Sequence, residues 1–525
     1  MDNAKASRFW ITVAVMAATV MQVLDTTIIN VALPHMSGEL GATPDSISWV
    51  LTSYMMAAAV FMPLTGFFTD RFGRKKYLLV CIGGFVIASG LCGIAQGLPE
   101  MVFFRLLQGV FGAALVPLSQ AIMVETFPPE ARGRAMAIWG MGVMVAPIMG
   151  PTLGGYLTEV ISWRWTFYIN LPVGIASLLL AMRFVPDTPA KARSMDWLGF
   201  ATLATAIACL QLVLDRGADK DWFESTLICA ATAGAVASFI VFLWKSLAGN
   251  GQPLFDLGVL KDRNLAVACV IMLSTGLGVY GGQLLLPLFL ENQLGFPTME
   301  AGLYLMPRGI ATLVSMSLVG RYGDRFSPRN LVAVGMLLSF GGALAMTRLT
   351  PQADGSIILL PLLLQGFGMG LIFIPLASLA FATVPRAQAT EAAGLYSLMR
   401  SVGSSIGVSI AASYLNYSAK VHWADLRATV TPFSQQLHTT LQQMGTSGLY
   451  FLDPSGLHLS SLGAGLMAKL ISQQAMIKAF SSTFWLITAS FVAMLPLLLL
   501  IKPPAEKAAA DNNAREPDAA HMAME

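Results

Sequence analysis

Charge is scarce in this chain. Asp, Glu, Lys and Arg make up 12% of its 525 residues, about half the ~25% usual for soluble domains. That excludes a string of soluble domains, each of which would need a polar surface. Cysteine is scarce too. Cys81, Cys92, Cys209, Cys229 and Cys269 all fall inside apolar runs. They show neither metal-ligand spacing nor a disulfide framework and read as small buried hydrophobes. The chain lacks a Gly-x-x-x-x-Gly-Lys-Ser/Thr run, which argues against direct ATP drive. No soluble catalytic arrangement appears, so the reading is not an enzyme, and no cofactor or metal is called for. Only Lys5 and Arg8 precede the first apolar run, with no small-residue cleavage site after a short core. That run reads as an uncleaved first helix.

What is abundant is apolar sequence, at 55% of residues. Runs of about 20 residues follow one another almost end to end, each long enough to cross a ~30 Å hydrocarbon core. Fourteen spans are expected, near 9–33, 47–68, 77–97, 101–124, 136–159, 166–186, 197–214, 226–245, 264–290, 300–320, 331–349, 357–383, 391–415 and 480–501. The fold class is therefore an all-α polytopic membrane protein, with the lipid bilayer as its first partner. An even count puts both termini on one side. With the N-terminus inside, 21 of the 32 basic residues fall in inner connections, 8 in outer ones and 3 within spans. This asymmetry predicts cytoplasmic termini. Residues 416–478 form a long polar outer connection, and 503–525 a polar tail expected to be disordered.

Two stretches echo each other. Gly66 to Arg74 contains Asp70-Arg71, and Gly320 to Arg329 contains Asp324-Arg325. Leu106-Leu107-Gln108-Gly109 is matched by Leu363-Leu364-Gln365-Gly366. The offsets are 254 and 257 residues. Near-equal offsets imply duplicated halves, as in many secondary transporters. The expected division is a six-helix bundle over 1–186, two linker helices over 187–263, and a second six-helix bundle over 264–502 that includes 416–478.

Asp25 is the most informative residue. It sits in the run Phe9 to Leu33, where an ionised carboxylate costs roughly 2.5–3.5 kcal/mol even on lenient insertion scales. It lies nine residues before Pro34, roughly 13 Å from the outer end of its helix. Arg105 lies roughly 6–9 Å from the outer end of span four. The depths permit an ion pair. Two readings remain: a purely structural buried pair, or a proton-exchanging carboxyl tuned by its cation. The second requires a carboxyl that neither points into lipid nor is sealed off from every aqueous opening. Arg308 and Arg400 are also membrane-embedded, and each either lines a cavity or neutralises carbonyls at a helix end. Gln22, Asn30, Tyr54, Gln108, Tyr280, Gln283, Gln365 and Tyr396 are polar or aromatic groups on apolar spans. With 29 methionines they suit an adaptable cavity for amphipathic small molecules.

These motifs resemble the major facilitator superfamily, and within it the fourteen-span drug:proton antiporters of the EmrB type. The resemblance rests on Leu24 to Pro34 in span one, Gly66 to Lys75 after span two, and Arg105 to Gly109 in span four. It also rests on Gly140 through Gly155 in span five, together with Trp163 to Pro172. It implies the major facilitator fold and proton-driven efflux across a bacterial inner membrane by alternating access. The implied partners are protons, a periplasmic membrane-fusion adaptor and a TolC-like outer-membrane channel, with 416–478 as a docking surface and no nucleic acid. Gly66, Asp70, Arg71, Gly73 and Arg74, with Asp324 and Arg325 in the second copy, are implied as a conformational latch. Gly140, Pro147, Gly150, Pro151, Gly154 and Gly155 are implied as the seam between bundles. One departure stands out: Leu362 occupies the place that Arg105 holds in the first half, which restricts the buried cation and the proton coupling to the N-terminal bundle. A proton-linked uptake permease and a non-transporting receptor or scaffold remain as alternatives.

Overall fold

A computed structural model describes residues 2–128, 131–190, 195–217, 220, 222–247, 257–349, 355–385, 388–429, 450–453, 456–459 and 461–501. Fourteen long helices dominate them. They are α1 (Asp2–Glu39), α2 (Trp49–Phe72), α3 (Arg74–Ile94), α4 (Leu98–Thr126), α5 (Arg132–Tyr156), α6 (Trp165–Phe184) and α7 (Trp197–Arg216). Then come α8 (Thr226–Leu247), α9 (Arg263–Asn292), α10 (Thr298–Tyr322), α11 (Pro328–Met346), α12 (Gly355–Phe381), α13 (Ala389–Thr429) and α14 (Ser461–Met494). Thirteen of these segments are long and apolar enough to cross a membrane. The exception is α13, whose apolar residues are diluted by Ser397, Arg400, Ser401, Ser404, Ser405 and Ser409. Its place inside the bundle, packed on α9 and α14, makes lipid-facing apolarity unnecessary.

The helices sort into two bundles. In the first, α1 packs on α5 and α6, and α4 packs between α2 and α3. In the second, α12 packs on α10 and α11, and α13 on α9 and α14. The extra pair α7–α8 packs on itself, and α7 also touches α2 and α13. One end of the molecule carries Arg71, Arg74, Lys75 and Lys76 beside Arg321, Arg325 and Arg329. It is called the basic face below.

The bundles meet most closely near the basic face. There α5, in its first turns, meets the last turns of α10: a Cβ added at Gly320 would stand 2.5 Å from the Cβ of Ala137. Ser317 Oγ donates to Met141 Sδ at 3.1 Å, and Gly140 lies against Met316 and Ile374. The end of α2 meets the start of α13 so tightly that a Cβ at Gly66 would fall 2.9 Å from Glu391 Cγ. Small residues allow this approach in the absence of a water-driven force between helices.

Two sequence expectations change here. Both ends of the outer connection 416–478 are helical, because α13 runs on to Thr429 and α14 starts at Ser461. At 41 residues, α13 is about 60 Å long, about twice the ~30 Å hydrocarbon core. The two extensions brace each other, with His422 Nε2 and Ser482 Oγ 3.1 Å apart. A β-hairpin, β1 (Tyr450–Asp453) paired with β2 (Gly456–Leu459), lies between them in sequence. The tail 503–525 lies outside the described residues.

Candidate functional site: a buried charge cluster in the N-terminal bundle

Four helices converge on Asp25. It lies on α1 with no exposed surface. Arg105, equally buried, donates from Nη1 to Asp25 Oδ2 at 2.6 Å. Gln108, one turn further along α4, donates to Asp25 Oδ1 at 2.9 Å. Asn170, at the start of the main helical stretch of α6, donates to the same oxygen at 2.8 Å. The carboxylate thus accepts from three donors, and one of them carries its countercharge.

The guanidinium is held just as closely. Arg105 Nε donates to the carbonyl of Val50 on α2 at 3.1 Å, and Nη1 also reaches Gln108 Oε1 at 2.6 Å. The Tyr54 ring lies 4.3 Å from its Cζ, and that of Phe167 at 5.8 Å. Only Nη2 lacks a hydrogen-bond partner among the described residues. A second layer orients the amides: Asn170 donates to Ser89 Oγ at 3.0 Å, and Ser89 donates to the Phe167 carbonyl at 2.9 Å. Gln22 Nε2 donates to Tyr54 Oη at 2.8 Å, fixing the ring that covers the arginine. A buried pair survives desolvation when the geometry is close and the remaining lone pairs and protons are used. This cluster meets that condition on the carboxylate side completely and on the arginine side nearly so.

The depth argument for the Asp25–Arg105 pair matches what is seen. The requirement that Asp25 meet water is not met in this conformer. The carboxyl faces neither lipid nor an aqueous opening, because Tyr54, Phe167, Gln108 and Asn170 fill the space around the pair. Asn170 and Ser89 are partners that the sequence reading did not single out as site residues. Asn170 was visible there only as one polar residue in the run Phe167 to Pro172, and its contact is with a residue 145 positions away.

The other candidates separate into groups. Gln108 belongs to the charge cluster instead of a cavity wall. Asn30 is exposed and turns back to the Thr26 carbonyl of its own helix. Gln365 is buried between α11 and α12, where it donates to Met346 Sδ at 3.5 Å. Gln283 is half-buried on α9. Tyr396 and Arg400, one turn apart on α13, line a small void between the bundles together with Trp139 of α5 and Phe373 of α12. Tyr280 lies in a π-helical stretch of α9, near enough to Arg400 to feel its charge. Arg308 on α10 donates from Nη2 to Met369 Sδ at 3.4 Å.

In the latch region Gly73 has φ +82°, and a Cβ there would lie 2.6 Å from the Thr188 carbonyl oxygen. That conformation and that approach together demand glycine. It lets the Arg74 amide donate to Thr188 Oγ1 at 2.7 Å while the Arg74 side chain pairs with Glu125 at the end of α4. Arg71 is exposed and Asp70 half-buried. Arg74 therefore ties the N-terminal bundle to itself, and Gly66 supplies the contact across to α13. Arg325 is exposed and lies over the ring of neighbouring Tyr322 at 5.5 Å. The Asp324 side chain is outside the described residues.

The expected seam moves as well. Of the α5 glycines, Gly140 faces the C-terminal bundle. Gly150 and Gly154 instead pack on Thr27 and Ile28 of α1, within their own bundle, and Gly155 has nothing within 4 Å of an added Cβ. Pro147 is half-buried, and the Pro151 side chain is outside the described residues. Ala137, Gly140 and Met141 in the first turns of α5 meet the C-terminal bundle, and Gly150 and Gly154 further along let α1 approach.

Two six-helix bundles around a central seam, with a charge cluster sealed inside one, are the architecture of a secondary membrane transporter. Residues 15–408 match the Major Facilitator Superfamily, and the chain belongs to that family. Among curated relatives it is 35% identical to a fatty acid resistance protein, FarB, of Neisseria gonorrhoeae, over 95% of this chain and 97% of the relative. It is 33% identical to the multidrug export protein EmrB of Escherichia coli K12, over 94% and 95%. Among solved structures, the human organic anion transporter MFSD10 superposes with a TM-score of 0.58 at 17% identity, covering 92% of this chain and 99% of that one. A double-tryptophan mutant of XylE gives 0.57 at 14%, covering 94% and 99%. At these identities the two structures speak for the fold alone.

Proposed function

We propose that this protein is a proton-driven multidrug efflux antiporter of a bacterial inner membrane. It exports hydrophobic and amphipathic compounds by rocking the 1–186 bundle against the 264–502 bundle, with 187–263 as the linker pair. The observation that carries the reading is the Asp25–Arg105 cluster: a carboxylate held at membrane depth by three donors, in a chain whose relatives bear multidrug-export names. Among the described residues Asp25 Oδ2 accepts from Arg105 alone and keeps a lone pair for a proton, so uptake needs a path to the carboxyl. Tyr54 and Gln22 cover the pair, so their displacement is the proposed opening step. The basic face is read as cytoplasmic on the positive-inside asymmetry, with both termini there. The conformer described, closed at that face, is then the one that releases substrate outward. The contact of Gly66 with α13 holds it closed.

The test is accumulation of a fluorescent dye in cells with and without the protein, with a protonophore added at steady state. Cells carrying it are expected to hold less dye until the protonophore collapses the difference. Equal accumulation throughout, or a difference that survives the protonophore, contradicts proton-driven export.

We further propose that the permease works in a tripartite assembly, with an adaptor docking on the projecting parts of α13 and α14. Replacing residues 416–478, which include both projections, with a short Gly-Ser linker is expected to leave the bundles folded and to abolish co-purification of the adaptor. Undiminished recovery of the adaptor excludes that surface.

A further inference from the structure

The two bundles treat buried charge differently. In the first, Arg105 is neutralised by Asp25. In the second, Arg308 and Arg400 have no carboxylate partner among the described residues. Arg308 is buried with the uncharged Met369 sulfur as its acceptor. Arg400 is half-buried, one turn after Tyr396 on α13. Arginine cannot shed its proton to escape this cost, and a cation at membrane depth is kept where a partner meets it. Among the described residues no fixed anion meets either side chain, which leaves room for one brought by a ligand.

A second observation points to the same place. Tyr396 is 3% exposed, and its Oη has no hydrogen-bond partner among the described residues. It stands one turn before Arg400, and both line the void of about 20 Å³ at the seam. That space holds a water or two, so a larger ligand enters only when the seam at the basic face parts. The same void is walled by Met136, Trp139, Phe373 and Ile374, apolar surfaces contributed by both bundles. Met369, which holds Arg308, precedes Phe373 by one turn on α12. Arg308 does not line the void itself and comes near it through Met369.

We propose that Arg400 and Arg308 form the anion-recognising side of the transport cavity, so that the preferred cargo is an amphipathic carboxylate. Its acidic head meets Arg400 and the free Tyr396 hydroxyl first and Arg308 next, while its apolar body lies against Trp139 and Phe373. A charge-assisted contact of this kind selects against an uncharged head and more strongly against a cationic one. The inference rests on the efflux reading above and names its substrate class.

The test uses three probes with one naphthyl body, bearing a carboxylate, its primary amide or a trimethylammonium group. The full chain is assayed for binding in nanodiscs by equilibrium dialysis and for transport in proteoliposomes under an imposed pH gradient. The wild type is expected to favour the carboxylate over each of the others by about tenfold or more. Arg400→Gln is expected to bring that ratio close to one, Arg400→Lys to restore part of it, and Arg308→Gln to lower it. A wild type that prefers the ammonium or shows no preference overturns the inference and leaves efflux standing. An Arg308→Gln/Arg400→Gln double variant with undiminished preference does the same. Carboxylate binding with the expected preference but no transport of any probe overturns the efflux reading and supports the anion site.

Discussion

Asp25→Asn is expected to yield a folded, membrane-inserted protein that no longer exports against a gradient. Asparagine keeps the Oδ1 acceptor that Gln108 and Asn170 use, and it cannot exchange a proton. The substitution strands the Arg105 cation, and breaking a buried pair in this way costs about 3–5 kcal/mol. The Val50 carbonyl, Gln108 Oε1 and the Tyr54 ring remain around the guanidinium, which places the cost toward the lower end. The neutral asparagine has the charge of a protonated Asp25, so its thermal stability reports what the protonated intermediate costs. Size-exclusion profiles, melting curves and gradient-driven transport check both halves. A variant that transports at the wild-type rate removes Asp25 from the mechanism. One that fails to fold shows that a neutral group here is intolerable, and a proton carrier must tolerate it.

Adding Arg105→Leu to Asp25→Asn is expected to recover about 1–4 kcal/mol of the lost stability without restoring transport. Replacing both members of a buried pair by uncharged groups is often neutral or stabilising, whereas arginine alone cannot neutralise itself. Arg105→Leu by itself is expected to cost less than Asp25→Asn, because the remaining carboxyl can take up a proton and become neutral. The ordering of melting temperatures across the two single variants and the double variant checks the argument. A double variant less stable than Asp25→Asn means that Arg105 was not left uncompensated, and that the cluster matters for packing instead of charge.

The parts of this arrangement that sequence makes legible are those set by simple geometry. Helix rise placed Asp25 and Arg105 at similar depth from their helix ends, and they pair at 2.6 Å. The offset between the two Asp-Arg turns announced duplicated bundles. Less legible was anything decided by which way a side chain turns. Gln108 and Gln365 occupy matching places in the repeat, yet one bonds the buried carboxylate and the other packs against α11. Gly150 and Gly154 carry the small-residue pattern of a seam, and they pack on Thr27 and Ile28 of α1. The extent of α13 was hidden for a different reason. Hydropathy falls where the helix leaves the bilayer, whereas backbone hydrogen bonding does not, so Leu415 marks an apolar boundary and Thr429 the end of the helix.

The unpartnered arginines lie between these cases. Arg308 and Arg400 were visible as embedded cations. The Met369 contact and the shared void with Tyr396 are what turn them from isolated charges into a possible wall. Duplication gave both halves a polar residue at the Gln108 and Gln365 positions, and among the described residues only the first half sets an acid against its buried arginine.

The central claim is that Asp25 loses and regains a proton as the bundles rock. Proton release on adding substrate to the purified protein in weakly buffered detergent solution, followed with a pH indicator, measures this without any membrane gradient. The wild type is expected to release protons in proportion to bound substrate, and Asp25→Asn to release none while still binding it. Equal release by the two proteins, or none from a wild type that binds substrate, contradicts the account.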